Sequence, residues 1–345
     1  MMFRQASGPE WIRGEGPDSD VVISTRARLA RSLAAYPFPA RSSGEDLSMV
    51  VRDVRAACGG LSARFPGLST ISMEKLDPEE KAFLLDTRVV SIEQTEDRPG
   101  AAVIVEPNAV LSIMVNEEDH LRIQVLRSGL TPEEAWELAD WVDDVLGESL
   151  EFGYSTRYGF LTANVSNVGT GLRLSAMMHL AGSALANRLA SQLRAAYDLG
   201  VSIRGVFGEA SRSVGDLYQV SNEVTCGLSE KEIVQRVSSV AQYLLGQERL
   251  ARKELLGDQR NRLVEAARKA LAALRGMRSI TPEKAITLMS ALRLASAMGL
   301  IANCPTSRLN ELLVGMRVGA ADGIRAGMQR AQLLRNGLAD VELSL

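Results

Sequence analysis

Two histidines and three cysteines are all the imidazole and thiol ligands that this 345-residue chain contains. Cys58, Cys226 and Cys304 lie far apart with no Cys-x-x-Cys pair, so even with His120 and His179 they nearly exclude a structural zinc site. The odd, sparse cysteine count argues against a disulfide framework and predicts a reducing, cytoplasmic setting. Runs of about 18 apolar residues are missing, and the opening MMFRQASGPEW has no apolar stretch of a signal peptide. No membrane span is therefore expected. Net charge is only −3, which leaves no global basic field to recruit nucleic acid or anionic lipid. Also missing are the Gly-x-x-x-x-Gly-Lys loop, the Gly-x-Gly-x-x-Gly turn and the His-Arg-Asp loop of protein kinases. Lysine is scarce as well, with six against 33 arginines; codon bias accounts for most of that excess.

The length suggests about two domains at roughly 150 residues each. Residues 251–345 carry 15 Lys and Arg against 8 Asp and Glu, so that end is +7 and residues 1–250 are −10. Val21–Ser24 predicts a strand and residues 45–58 a helix. Asp77-Pro-Glu-Glu80, Thr131-Pro-Glu-Glu134 and Ser229-Glu-Lys-Glu232 predict helix starts, the last two with capping-box spacing. Residues 88–94, 101–105, 109–115 and 201–206 read as strands, and about 172–196 as one long helix after a Gly-rich turn. Beyond about 233 only helical periodicity remains. The predicted fold class is α+β, with a first domain over 1–254 and a smaller all-helical domain over 255–345.

Chemistry is suggested by arginines beside strand ends and glycines. In Ser24-Thr-Arg26-Ala-Arg28, the two arginines share a strand face and repel each other unless an anion lies between them; solvated surface arginines are the alternative. In Asn116-Glu-Glu-Asp-His-Leu-Arg122, an extended chain would put Glu118, His120 and Arg122 on one polar face, as a solvated edge strand would too. Asn167-Val-Gly-Thr-Gly-Leu-Arg173 reads as a turn entering a helix whose free N–H groups suit phosphate, or as a plain glycine turn. Arg204-Gly-Val-Phe-Gly-Glu209 again pairs Arg at a strand end with Glu after glycines.

Taken in this order, the four segments resemble the guanidino (phosphagen) kinases. Within them the chain is most similar to the bacterial protein-arginine kinases, as Val21–Pro39, Met177-Met-His-Leu180 and Gln247-Glu-Arg249 also suggest. The resemblance is strong over about residues 15–255. It implies an antiparallel sheet flanked by helices, ATP with Mg²⁺ held through its phosphates, and transfer to the arginine side chains of proteins. The implied nucleotide contacts are Ser24, Thr25, Arg26, Ala27 and Arg28, then Arg88 and Arg122. They continue with Arg173, Leu174, Ser175, Ala176 and Met177, and with Arg204, Gly205, Val206, Phe207, Gly208 and Glu209. Glu118 and Glu209 are the implied catalytic carboxylates that hold the acceptor guanidinium, with His120 a structural partner and His179 a packed core residue. Implied partners are proteins with exposed arginines, a Clp-type unfoldase, a zinc-finger activator and a second copy of the chain, in protein marking or a stress response.

Departures from the family pattern are as informative. The family's Cys-Pro-Thr-Asn reads Asn164-Val-Ser-Asn167 here, so Asn164 takes the place of the substrate-contacting cysteine. Arg88 stands near a usual nucleotide-contacting His, and Arg212 where an acid is common. The phosphoarginine-reading Arg-Asp-x-x-Arg-Ala becomes Ala326-Gly-Met-Gln-Arg-Ala331, which predicts weak or absent docking of phosphoarginine there. A pseudo-kinase scaffold and a free-guanidine kinase are the competing readings.

Overall fold

The computed structural model describes residues 8–206, 213–316 and 323–344. Phe207, Gly208, Glu209 and Arg212, singled out above, lie outside them. Among the described residues, eight strands form one antiparallel sheet in the order β2-β3-β4-β5-β1-β8-β10-β9. They are β1 (Val22–Arg31), β2 (Ser69–Ser72), β3 (Ala102–Val105), β4 (Leu111–Val115), β5 (Leu121–Ser128), β8 (Leu172–His179), β9 (Val201–Gly205) and β10 (Leu217–Asn222). A small hairpin, β6 (Tyr154–Ser155) with β7 (Gly159–Phe160), precedes β8.

The helices of the first part are α1 (Gly44–Ala57), α2 (Pro78–Asp86), α3 (Pro132–Gly147), α4 (Ala181–Leu185), α5 (Leu189–Tyr197) and α6 (Glu230–Asp258). Reciprocal capping boxes start three of them, Ser43 with Asp46, Asp77 with Glu80 and Ser229 with Glu232. At α3 the expected box does not form: Thr131 donates its backbone N–H to Thr25 Oγ1, and Pro132 opens the helix. Helices α7 (Arg260–Gly276), α8 (Pro282–Ala297), α9 (Thr306–Gly315) and α10 (Ile324–Gly337) follow, with a two-residue ladder between β11 (Ile301–Ala302) and β12 (Glu342–Leu343).

Two expected elements are not formed. The long helix over 172–196 is β8 followed by two short helices. Leu172, Leu174, Ala176 and Met178 pack into the main core and Met177 into a separate one on the other face, so the period is two rather than 3.6. Leu, Ala and Met favour helices in isolation, but pairing with both β1 and β10 overrides that preference. Residues 88–94 are not a strand, because their N–H groups close off α2. Arg88 donates to Leu85 O, and Val89 and Val90 both donate to Leu84 O, with Arg88 at φ 64.

The main core lies between one sheet face and α1, α3 and α6, with side chains such as Val50, Leu29, Ile123, Val142 and Val237 fully buried. A second core fills the helical end around Leu271, Leu292, Leu312 and Leu334. It reaches the opposite sheet face at Leu126 and Met177, and it takes in Trp11. Helix α6 serves both, with Ile233 to Leu245 in the first core and Leu255 in the second. The change of composition near 250–260 therefore falls within the last turns of a continuous helix.

Candidate active site

Strand register gathers the arginines. On β1, Arg28 lies opposite Gln124 of β5 and Arg173 of β8, Ala30 lies opposite Arg122, and Arg26 lies opposite Ser175. Ser24 pairs with Met177, Met177 with Gln219, and Gln219 with Arg204. Directly paired residues point the same way, so Arg26, Arg28, Arg122, Arg173 and Arg204 all stand on the face opposite the main core. Thr25, Ala27, Leu174 and Ala176 point to the other face: Ala27, Leu174 and Ala176 are core residues, and Thr25 donates to Gly129 O. Of the implied nucleotide segments, only alternate side chains can reach a ligand on the arginine face.

This cluster is strongly cationic. Among the described residues, none of Arg26, Arg28 and Arg173 has a carboxylate in ion-pair contact, and Arg173 Nε is buried without a hydrogen-bond partner. Burial first, then the neighbouring Arg122 and Arg173, pushes the Arg28 guanidinium down to about 9. Burial, Arg28 and Arg88 push Arg26 down as well, and burial, Arg204 and Arg122 do so for Arg173. Guanidinium groups do not give up their protons in proteins. The shifts reflect burial and like charge, both of which a bound anion would offset.

The segment 116–120 is a turn between β4 and β5, not an extended chain. Asn116 N–H donates to His120 O, and Asn116, at φ 57, donates its side-chain amide to Leu47 O and Gly100 O. A hairpin connection has to reverse here, so Glu118 and His120 part company. His120 is fully buried, accepting Leu33 N–H at Nδ1 and lying 2.9 Å from Pro37 O through Nε2. Those partners suit the neutral ring, and burial lowers its pKa. Its role is structural, as is that of His179, which sits at the end of β8 against Ser290 Oγ at 2.8 Å.

Glu118 instead faces a cavity of about 930 Å³ whose lining includes Arg28, Arg122, Arg173 and Asn164. Its side chain is 38% exposed, so the carboxylate is within reach of an incoming side chain. Burial raises its pKa, opposed by a hydrogen bond to Asn164 and by Arg122. Asn164 caps its own short turn by accepting from Ser166 N–H, which leaves its amide free to serve Glu118. The structure also supplies residues that the motifs did not mark. Glu117 is buried and binds Arg122 at 2.6 Å and Ser91 Oγ at 2.5 Å. Arg98, between α2 and β3, donates to Glu117 O. The adjacent glutamates of Asn-Glu-Glu-Asp-His were a signal for Glu117; nothing in the sequence pointed to Arg98. Gly171 must be glycine: a Cβ there would lie 2.6 Å from Ala30 O, at φ 66.

An anion-hungry arginine face beside an accessible carboxylate suits transfer of a phosphoryl group to a cationic acceptor. A family model described as ATP:guanido phosphotransferase, C-terminal catalytic domain, matches residues 49–251. The chain belongs to this family. The guanido phosphotransferase match begins after β1 and ends within α6, so Arg26, Arg28 and most of the helical end lie outside it. Family relatives include the protein-arginine kinase of Pelotomaculum thermopropionicum, 41% identical over 309 residues, 89% of this chain and 87% of the relative. The protein-arginine kinase of Brevibacillus brevis is 37% identical over 350 residues, 99% of this chain and 98% of the relative. Among solved structures, a lombricine kinase matches with TM-score 0.60 at 23% identity, over 71% of each chain. The duplicated taurocyamine kinase of Schistosoma mansoni matches with TM-score 0.61 at 22% identity, over 72% of this chain and 37% of that one. These two likenesses confirm the fold expected of the family.

Proposed function

We propose that this protein transfers the γ-phosphoryl group of ATP to arginine side chains of other proteins. The observation that carries this reading is Glu118, held at an open cavity that Arg28, Arg122 and Arg173 also line. ATP supplies the phosphoryl group. Arg28, Arg122 and Arg173, with Arg26 and Arg204, grip its phosphate oxygens, in the paired geometry that guanidinium groups favour. Mg²⁺ would be held through those phosphates. Glu118 orients the acceptor guanidinium and accepts its proton as the N–P bond forms and the bond to ADP breaks. From the motif, Glu209 supplies a second carboxylate. Protein targets, a Clp-type unfoldase, a zinc-finger activator, self-association, a cytoplasmic setting and a stress-response role are part of the same proposal and rest on resemblance. The test is incubation with Mg·ATP and either an arginine-rich protein or free arginine, followed by mass spectrometry for acid-labile phosphoarginine. Product on the protein supports the reading; no product on either acceptor, with no ATP-induced rise in Tm, sinks it.

Two further outcomes follow from the residues. Glu118 must be deprotonated to work, and its pKa is raised, so kcat/KM should fall from above the usual carboxylate range as pH drops. Asn164→Ala removes a hydrogen bond that holds this pKa down. The acid limb should then move to higher pH while the alkaline limb stays put, and a limb that stays or moves down would refute the pairing. At the helical end, Gly327 is buried, and a Cβ there would collide with Ser279 Oγ. Arg330 donates to Met316 O and Ile280 O. Free phosphoarginine should therefore leave initial rates and sedimentation unchanged at concentrations below those that inhibit as product; activation or a change of assembly would contradict this.

A further inference from the structure

A second cavity, of about 320 Å³, adjoins the first and shares Arg28 and Ser91 with it. This volume is at the lower end for small-molecule pockets, roughly 300–1,000 Å³. Arg26, Arg88 and Asp86 line it together with apolar side chains, chiefly Trp11 and Val90 and Leu313 and Val314 of α9. From Ala30, beside Arg122, to Arg26 is four residues of strand, or about 14 Å. A polyanion lying along Arg122, Arg28 and Arg26 with its reacting end at Glu118 would therefore deliver its other end here. A chamber of apolar side chains beside guanidinium groups suits a flat, uncharged heterocycle, which can stack on the Arg88 guanidinium.

The α9 wall is firmly built. Asn310 of α9 is fully buried and donates its amide to Ile12 O at 3.1 Å and Trp11 O at 3.5 Å, while Arg293 Nη2 donates to Asn310 Oδ1 at 2.5 Å. Trp11 donates Nε1–H to Thr87 O at 3.1 Å, and the Arg88 guanidinium carbon lies 5.3 Å from the centre of its ring. One connected set of contacts thus runs from the helical end to the arginine face, and α9 lies beyond the residues that the family model matches.

We propose that α9, through Leu313 and Val314, forms the wall that receives the nucleoside end of ATP, so that nucleotide binding and the seating of the helical end on the sheet are coupled. This rests on the ATP reading above. The probes are ATP and inorganic tripolyphosphate, titrated calorimetrically into the full chain. Val314→Trp, which fills the cavity, should weaken ATP at least tenfold and leave tripolyphosphate unchanged. Equal effects on both ligands, or none on either, would overturn the proposal. Amide hydrogen exchange of the wild-type protein guards against a variant that fails to fold. ATP should slow exchange across Thr306–Gly315 more than tripolyphosphate does, and equal protection by the two would again overturn it. A wild-type protein that binds neither ligand would instead remove the ATP reading itself, and this inference with it.

Discussion

Glu118→Gln is expected to reduce phosphoarginine formation by roughly 10²–10⁴-fold, the usual worth of a positioned general base, while ATP affinity stays close to that of the wild type. The substitution keeps the shape of the side chain and removes two things. It takes away the charge that faces the acceptor guanidinium and the site that receives its proton. An arginine acceptor is a poor nucleophile until that proton leaves, and a base works best with a pKa near the working pH. Burial raises the Glu118 pKa in that direction. The phosphate side should survive, because Arg122 is held chiefly by Glu117 at 2.6 Å and only secondarily by Glu118 at 3.5 Å. Single-turnover measurements with saturating ATP separate the two effects. Retained turnover would show that Glu118 is not the base. Turnover lost together with ATP binding would show that it holds the arginine face together instead. Glu117 is the less informative target, since its carboxylate is buried against Arg122 and Ser91 and its removal takes away the main partner of Arg122.

Much of this site could be read in the sequence because the chemistry restricts the residue types. Alternation in Ser24-Thr-Arg26-Ala-Arg28 predicts a shared face, and the register of β1 against β5 and β8 brings Arg122 and Arg173 to it. What the sequence could not show is what depends on partners distant in the chain. Leu172–His179 has the composition of a helix and becomes a strand only because β1 and β10 flank it. The turn at Asn116–His120 depends on Leu47 O and Gly100 O, so local pattern alone placed His120 beside Glu118 when it is turned into the core. Trp11 is more than 290 residues from Asn310 in sequence, yet their contact helps to build the second cavity. Of the two readings of the Gly-rich turn, a phosphate-binding helix start and a plain glycine turn, the first fails because β8 and not a helix follows. Its glycines instead permit close approach of neighbouring backbone, at Ala30 O for Gly171 and Thr225 O for Gly169.

Arg28→Met should separate stability from function more sharply than any other change. Arg28 sits between Arg26, Arg122 and Arg173, and both its burial and those neighbours oppose its charge. In the protein without ATP that opposition is only partly offset, by Glu117 and Glu93, neither of which is in ion-pair contact with Arg28 among the described residues. Met preserves the length of the stem and packs adaptably, so its substitution removes repulsion at little cost in contacts. The unliganded protein should therefore melt higher. Each 1 kcal/mol of relief is worth roughly 2–4 °C for a domain of this size. Catalysis should move the other way. Arginine contacts to a transferring phosphoryl group are worth about 10³–10⁵ in rate where they have been removed singly; with Arg122 and Arg173 still present, a loss near the lower end, about 10³-fold, is expected. The Tm increment produced by saturating ATP should shrink for the same reason, because ligand stabilisation follows affinity. Arg28→Lys restores the charge without the two-pronged donor and should recover only part of the rate. Thermal melts with and without Mg·ATP, alongside initial rates, read all of these effects. A lower unliganded Tm for Arg28→Met would mean that Arg28 is a structural ion-pair partner rather than a cation awaiting its anion. An unchanged rate would place the phosphates elsewhere on the sheet.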